Sequence, residues 1–259
     1  MNARFDSDGE GISISVVSHL QMTLVANLLG DLEAHCQASH LELLLTLNLA
    51  EDLLIDPTGF SYPIRVVRNP RPIGFGANHN QAFAHATGKY FCVLNPDIRL
   101  NNNPFPALLA CLNDCAAGVV APLVRSEYGA IEDSARRFPS PLTILMKLFR
   151  RSPGPDYVTQ AVPIAVDWVG GMFMLFPSDV FERLKGFDER YFLYYEDVDI
   201  CARLELQGQQ ALICPLVSVV HHAQRASHRH FRYWRWHLTS MLRFFLSSVY
   251  WRVRHGSKS

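Results

Sequence analysis

Two spacings of apolar residues alternate along the first half of this chain. Ile12-Ser13-Ile14-Ser15-Val16-Val17 alternates in part and is rich in β-branched side chains, which predicts a strand. Thr23 to Ala34 then carries apolar residues at 24, 25, 28, 29 and 32, a helical spacing. Short apolar runs at Glu42–Leu47, Ile64–Val67 and Tyr90–Leu94 predict three more strands, and Val119-Val120 opens a fifth. Between them, Gly74–Gly88 passes from a glycine-rich turn into a helix, and Phe105–Cys115 reads as helix. Strands alternating with helices imply βαβ units around a mostly parallel sheet. Ligands of such sheets bind beyond the carboxyl ends of the strands. Asn95-Pro96-Asp97 is a turn at one of those ends.

The second half is less regular. Five prolines interrupt Pro139–Pro163, which reads as a loop with one short amphipathic piece, Leu142–Phe149. Asp167–Phe176 is strand-like, and Pro177–Leu184 starts a helix that Gly186 stops. Tyr195–Leu206 reads as a helix with acids at its start, and Ala211–Val220 as a last strand. From Phe231 onward, apolar or aromatic residues at 234, 238, 241, 242, 245 and 249 make one face of a tail helix.

Composition fits a folded globular chain: 49% hydrophobic and 19% charged over 259 residues, enough to bury a sizeable core. The first ten residues are polar, without the apolar region of a secretory signal, and no apolar run approaches the ~20 residues of a membrane span. Six cysteines are scattered without a CxxC pair and read as reduced core thiols of a cytosolic protein. The net charge of zero hides an asymmetry. Residues 223–259 hold eight Lys/Arg and no acid, so residues 1–222 carry a net charge of −8. A basic tail on an acidic body points to an anionic partner at the C-terminus. The acidic body argues against extended nucleic-acid contact.

Five clusters can carry chemistry, and each has a plain structural alternative. Asp97 could hold Mg²⁺ or Mn²⁺ on a diphosphate, since these hard cations take one or two carboxylates plus phosphate oxygens; Asn-Pro-Asp is also ordinary turn chemistry. The turn at Asn69–Asn80 could present backbone N–H groups to phosphate or be a tight strand-to-helix connection. Glu196, Asp197 and Asp199 could include a general base or simply complement a helix N-terminus. His221-His222 follows an apolar strand and could supply a ligand to the same metal; nearby histidines raise zinc as a rival, but no zinc spacing is present. The interleaved arginines and aromatics of His230–Trp236 could lie on an anionic membrane or be a solvated helix packed on the body.

Taken in order, these segments resemble the family 2 glycosyltransferases, particularly rhamnosyltransferase-like members, from about Ser13 to Phe245. The carriers are Ile73–Asn80, Leu94–Asp97, Asp167–Met172, Gly186–Glu189, Phe192–Asp199, and His221 with Arg225–His228. The resemblance implies a GT-A (Rossmann-like) α/β fold, with a mostly parallel central sheet flanked by helices and a C-terminal amphipathic helical tail. It implies one domain over 1–230, with a nucleotide-sugar half at about 10–125 and an acceptor half at 160–230, followed by a basic amphipathic helix at 231–259. It implies an inverting single displacement. Asp97 takes the place of the metal-binding aspartate and Asn95 that of its partner acid. Asp197 takes the place of the general base, with Glu196 orienting it or the acceptor. His221, or its neighbour His222, takes the place of a late metal or diphosphate histidine. Asn48, Gly74, Asn78, Asn80, Asn95, Gly170 and Gly171 are expected on the nucleotide sugar. Trp168, Tyr195, Asp199, Arg225 and Ser227 are expected on the acceptor.

One departure is that Asn48 lacks the preceding aspartate with which family members read the base, and the first strand ends Val17-Ser18-His19. The expected donor is a dTDP- or UDP-sugar, dTDP-rhamnose first among them. The expected acceptor is a lipopolysaccharide or lipid-linked glycan. The expected place is cytoplasmic, peripheral on the inner face of the plasma membrane. The rivals are a nucleotidyltransferase, whose basic signature loop is missing from residues 10–40, and a non-catalytic sugar-nucleotide-binding relative.

Overall fold

The alternation that predicts the first strand also decides which way its side chains face. In β1 (Ile12–Ser18), Ile12, Ile14 and Val16 are buried in one apolar cluster. Ser13 and Ser15 make polar contacts instead: Ser13 Oγ accepts from Gly88 N–H at 2.8 Å, and Ser15 Oγ lies 2.8 Å from His79 Nδ1. The computed structural model describes residues 11–37, 39–149, 156–157, 162–222 and 231–256.

After β1 come α1 (Met22–His35), β2 (Leu41–Leu47), β3 (Ile64–Arg68), α2 (Phe75–Phe83), β4 (Tyr90–Leu94), β5 (Ile98–Arg99), α3 (Phe105–Asp114) and β6 (Val119–Ser126). Then follow β7 (Ala135–Arg136), α4 (Pro141–Phe149), β8 (Ile164–Val166), β9 (Trp168–Val169), β10 (Phe173–Pro177), α5 (Ser178–Arg183) and α6 (Glu196–Glu205). The last elements are β11 (Ala211–His221), α7 (Phe231–Leu246) and α8 (Ser248–Gly256).

The main sheet runs β3-β2-β1-β4-β10-β6-β11-β5, with β8 added on β11. Its first four strands are parallel, as is the β6–β11 pair. The fold is α/β with helices on both sides of the sheet, as expected, but the sheet is mixed. β10 runs antiparallel to β4 and β6, and β5 and β8 run antiparallel to β11. Strands from the first 126 residues and from the second half thus share one sheet. The strand-like run at 167–176 is cut in two, because the chain turns at Gly170–Met172; β9 leaves to pair with β7 in a separate ribbon.

Helices α1 and α3 bury Leu28, Leu29, Leu32, Phe105 and Leu108 in the cluster that holds Ile12, Ile14 and Val16. Helices α2, α5 and α6 bury Ala82, Phe181, Ile200 and Leu204 in a second cluster with Leu44, Phe91 and Val93. Each such large side chain contributes about 1.5–3 kcal/mol. A third cluster docks the tail: Phe244, Tyr250 and Val253 pack with Tyr191, Tyr195, Val198 and Ala202. The tail is two helices where one was expected. Ser247 separates them, its hydroxyl donating to Phe244 O at 2.7 Å and accepting from Tyr250 N–H at 3.1 Å, a side-chain N-cap for α8.

One buried acid fixes the short strand that leads out of the Asp97 turn. Asp31 of α1 accepts from Arg99 Nε at 2.6 Å, from a second guanidinium nitrogen at 2.7 Å, and from Leu100 N–H at 2.9 Å. Removing the acid leaves a partly buried guanidinium and a buried amide without partners. Asp31→Ala is therefore expected to cost about 3 kcal/mol, read as a lower urea midpoint at unchanged slope; an unchanged midpoint would show that the pair does not hold β5.

Candidate active site

Strand β4 ends at Leu94, and the next three residues turn the chain into β5. Asn95 N–H donates to Met172 O at 2.9 Å, and Ile98 N–H reaches back to Asn95 O at 3.3 Å. β5 pairs with the end of β11, Ile98 opposite His221, and His222 N–H donates to Asp97 O at 2.8 Å. This pairing sets Asp97 against His221: Oδ2 lies 3.3 Å from Nε2. On the other side of the ring, Nδ1 lies 2.7 Å from Glu132 Oε2. With a carboxylate at each nitrogen, first Asp97 and then Glu132, the imidazole holds its proton up to a pKa of about 9, although burial opposes this.

His222 faces elsewhere. Its Nδ1 lies 3.2 Å from Glu127, and its side chain is 42% exposed. Of the two histidines, His221 is the one beside Asp97.

A divalent cation suits this spot. Asp97 Oδ1 is buried and has no hydrogen-bond partner among the described residues. Asn95 beside it makes no side-chain hydrogen bond among them either. Asp97, His221 and Glu132 stand in a row, not around a point, and no group of three His, Cys, Asp or Glu among the described residues encloses a cation site. Asp97 and His221 would therefore hold a cation only together with oxygens from a ligand, as Mg²⁺ and Mn²⁺ are held on phosphates.

The turn at Gly170–Met172 links this spot to the Glu196-Asp197 pair. Met172 O takes the Asn95 N–H, and Gly171 N–H donates to Asp197 Oδ2 at 3.1 Å. A side chain on Gly171 would press on the Phe75 ring at 3.3 Å and sit 3.7 Å from Asp197 Cβ, so the ring would have to give by a few tenths of an ångström to admit it. Burial raises the pKa of Asp197, opposed by the N–H groups of Gly171 and Val198. Glu196 is 5% exposed, and burial together with the neighbouring Asp197 drives its pKa well above the usual range. Its Oε2 has no hydrogen-bond partner among the described residues. Burial thus disfavours the ionised form of Glu196, and it opposes ionisation of Asp197 as well. The pair opens α6 just after Tyr194 and Tyr195, both held at φ 69°, a backbone region that costs a non-glycine residue energy and clusters at functional sites.

Other expected site residues face the protein itself. Asn48 accepts from Ile73 N–H and from Asn69, each at 2.9 Å, and Asn78 accepts from Asn69 at 2.7 Å while donating to Gly74 O at 2.9 Å. These amides tie together the loops after β2 and β3 and the start of α2. Asn80 clamps the 187–189 turn, donating to Phe187 O and accepting from Phe187 N–H, both at 2.8 Å. A Cβ on Gly74 would lie 2.9 Å from the Phe192 backbone, and one on Gly76 2.5 Å from Phe187. The glycine-rich turn is thus filled by the 187–192 segment. Gly170 donates to Ser134 O at 2.8 Å. Asp199 is buried in an ion pair with Arg203 at 2.7 Å. Tyr195 is buried against His237, Phe244 and Phe245 of α7. Trp168 donates to Arg137 O at 3.1 Å and lies under Arg136. Arg225 and Ser227, with His228 and His230, lie outside the described residues.

Three residues join the site without having been expected. Glu132 holds His221, Ser134 holds Gly170, and the charge of Arg136 acts on Asp197. The only local signal was the acid-rich stretch Glu132-Asp133.

The model of Glycosyl transferase family 2 matches residues 46–174. Rhamnosyltransferase WbbL of Escherichia coli (strain K12) is 31% identical over 186 residues, 66% of this chain and 69% of that protein. The chain belongs to glycosyl transferase family 2. A second relative, N-acetylglucosaminyl-diphospho-decaprenol L-rhamnosyltransferase of Mycobacterium tuberculosis (strain CDC 1551 / Oshkosh), is 29% identical over 190 residues; these are 65% of this chain and 62% of the relative's own length. Among solved structures, GalNAc-T7 with UDP, GalNAc and Mn²⁺ superposes with a TM-score of 0.62 at 16% identity, over 83% of this chain and 44% of that one. The fold of this family 2 member is therefore GT-A.

The charge row makes a prediction about His221 in cation-free protein. Its folded pKa stands above the ordinary 6.5, so its contribution to stability is complete below about pH 6.5 and is lost as pH rises through about 9. An NMR titration should place the His221 midpoint near 9 and move it down toward 6.5 in Asp97→Asn. A midpoint that ignores the substitution would separate the two side chains.

Proposed function

We propose that this family 2 glycosyltransferase is inverting and moves a hexosyl group from a nucleotide-diphosphate sugar to a hydroxyl of a cell-surface glycan or lipid-linked acceptor. Rhamnose from dTDP-rhamnose is the preferred donor, a choice supported by two relatives named as rhamnosyltransferases. The name of the second, which includes N-acetylglucosaminyl-diphospho-decaprenol, supports a lipid-linked acceptor. The observation that carries the reading is the shared turn at Gly170–Met172, hydrogen-bonded to Asn95 at one end and Asp197 at the other. A carboxylate suited to take a proton and a carboxylate suited to a cation therefore flank one turn.

In this reading Asp197 accepts the proton of the acceptor hydroxyl as that oxygen attacks the anomeric carbon. Gly171 N–H fixes the receiving carboxylate, and burial keeps it basic. Glu196, held neutral, adds no repulsion and can donate a hydrogen bond to the acceptor or to Asp197. When bound, Mg²⁺ or Mn²⁺ neutralises charge on the departing diphosphate. Asp97 Oδ1 would hold the cation, His221 would hold it or the diphosphate, and Asn95 would meet the donor.

The working unit is one GT-A domain over 1–230 with the helical tail of 231–259. No described helix is long and apolar enough to cross a membrane. The acid-free tail exposes Phe231, Trp234, Leu246 and Trp251 among its arginines, which supports a peripheral position on an anionic membrane surface at the inner face of the plasma membrane.

Asp197→Asn should lower transfer by about 10²–10⁴-fold while leaving donor affinity nearly intact; an active variant removes Asp197 as the base. In the unaltered protein, transfer should rise with pH through the raised Asp197 pKa. A thermal-shift panel tests the donor. With Mg²⁺ or Mn²⁺ present, the correct nucleotide sugar at about 100 times its Kd should add about 2.7 kcal/mol of stability, and a chelator should remove most of that gain. A panel without any stabilising nucleotide sugar would overturn the donor assignment.

A further inference from the structure

A cavity of about 470 Å³ opens between the 190–192 segment and α7, lined by Arg190, Phe192, Arg235, Trp236, Thr239 and Arg243. Three guanidinium groups and no carboxylate face it. Asp188 partly neutralises Arg190 from behind, at 2.6 Å. Arg243 bonds Arg190 O and lies 5.9 Å from the Tyr191 ring centroid. Arg235 is exposed and has no acidic partner among the described residues, and α7 and α8 contain no Asp or Glu. One wall is aromatic, with Phe192 and Trp236 centroids 4.7 Å apart. A planar donor fork matches phosphate oxygens bidentately, as it does those of a carboxylate.

The same helix carries a second feature beside the arginines. Phe231, Trp234, Leu238, Leu242 and Leu246 recur at spacings of three and four, so they form a stripe adjoining the Arg235–Arg243 face. Its ends are open to solvent: Phe231 is 77% exposed and Leu246 81%. An arginine-lined cavity bordered by an apolar stripe fits an amphiphile with a phosphorylated head.

The geometry points to this cavity as the binding site for the diphosphate of a lipid-linked acceptor, with the hydrocarbon chain along the stripe. This rests on the glycosyltransferase reading above and names the side from which its acceptor is held. The connection to the base is short. Ser240 of α7 donates to Leu193 O at 2.9 Å, and the segment then runs directly into Glu196-Asp197. Asp197 stands five positions after Phe192, so the two lie within about 18 Å of each other. That is a span a diphosphate with one or two sugar rings can bridge.

Calorimetric titration with farnesyl diphosphate tests the site. Arg235→Gln is the suitable variant, since the side chain is exposed and no described residue depends on it. The unaltered protein should bind farnesyl diphosphate about tenfold or more tighter than inorganic pyrophosphate, because the chain adds contact along the stripe. Arg235→Gln should weaken farnesyl diphosphate binding about tenfold, and Leu246→Ser should weaken it without changing pyrophosphate binding. Equal farnesyl diphosphate affinity in the unaltered protein and Arg235→Gln overturns the proposal. It is also overturned if Arg235→Gln loses binding only to vesicles of phosphatidylcholine and phosphatidylglycerol in equal parts, because the arginines then read a membrane surface. Asp197→Asn should bind farnesyl diphosphate normally. Absence of glycosyl transfer with this Arg235-dependent binding intact would sink the catalytic reading and leave the diphosphate site standing.

Discussion

Two residues of antiparallel strand hold the candidate cation position together. Ile98 and Arg99 pair with His221 and Val220, and His222 N–H closes onto Asp97 O. The side chains so joined, Asp97 and His221, are 124 positions apart. Closing a loop of that length is entropically costly, although the cost grows only with the logarithm of length. A two-residue strand could not meet it alone. The parallel ladder between β6 and β11 does, and β5 then adds itself to an edge already in place. From the other side, the Asp31 carboxylate grips Arg99 and Leu100. The position of Asp97 is thus inherited from the sheet and pinned from a helix, and no loop has to supply it.

Two pairs of acids lie in this region, and the protein relieves their repulsion in two ways. Between Asp97 and Glu132 it inserts a histidine, whose imidazolium form offers one N–H to each carboxylate. Between Glu196 and Asp197 it inserts nothing, and burial raises the pKa of Glu196. The first arrangement is open to exchange. A cation arriving with a diphosphate competes with the proton on His221, because an imidazolium cannot be a ligand, so the affinity of the spot should depend on pH. The second arrangement is closed. A proton favoured on Glu196 would leave Asp197 to ionise alone, the state that the proposed base role requires.

Elements with local causes were legible in the sequence. The β-branched alternation of β1, the helical spacing of α1 and the apolar runs of β2, β3 and β4 each specify themselves within a few residues. So did the site's order along the chain, with Asp97, the Gly170-Gly171 pair, Glu196-Asp197 and His221 in succession. What was not legible depends on partners far away. β5 and β7 are two residues long and exist only because β11 and β9 are there to pair with them. The antiparallel insertion of β10 cannot be told from a parallel strand by its apolar run. Asn48, Asn78 and Asn80 illustrate the same limit: an amide beside a turn offers the same groups to a ligand or to a neighbouring loop, and here the loops of the protein take them.

The glycine-rich turn connects these points to the tail. Its glycines are needed because the Phe192 backbone and the Phe187 side chain lie where side chains on Gly74 and Gly76 would be, and Phe75 N–H donates to Phe192 O at 2.8 Å. On its far side the same segment meets α7 through the Phe192–Trp236 contact and the Ser240 hydrogen bond to Leu193. One stretch of chain is thus packed between α2 and the tail helix and leads, five positions after Phe192, to Asp197. A displacement of α7 must move either this stretch or its contacts with α2. The stretch is stiff, with two consecutive tyrosines in a left-handed conformation and Asn80 clamping its start. The tail is therefore no appendage on a finished domain. Its seating helps set the backbone from which Asp197 projects, so whatever binds the arginines of α7 acts on a surface continuous with the Glu196-Asp197 pair.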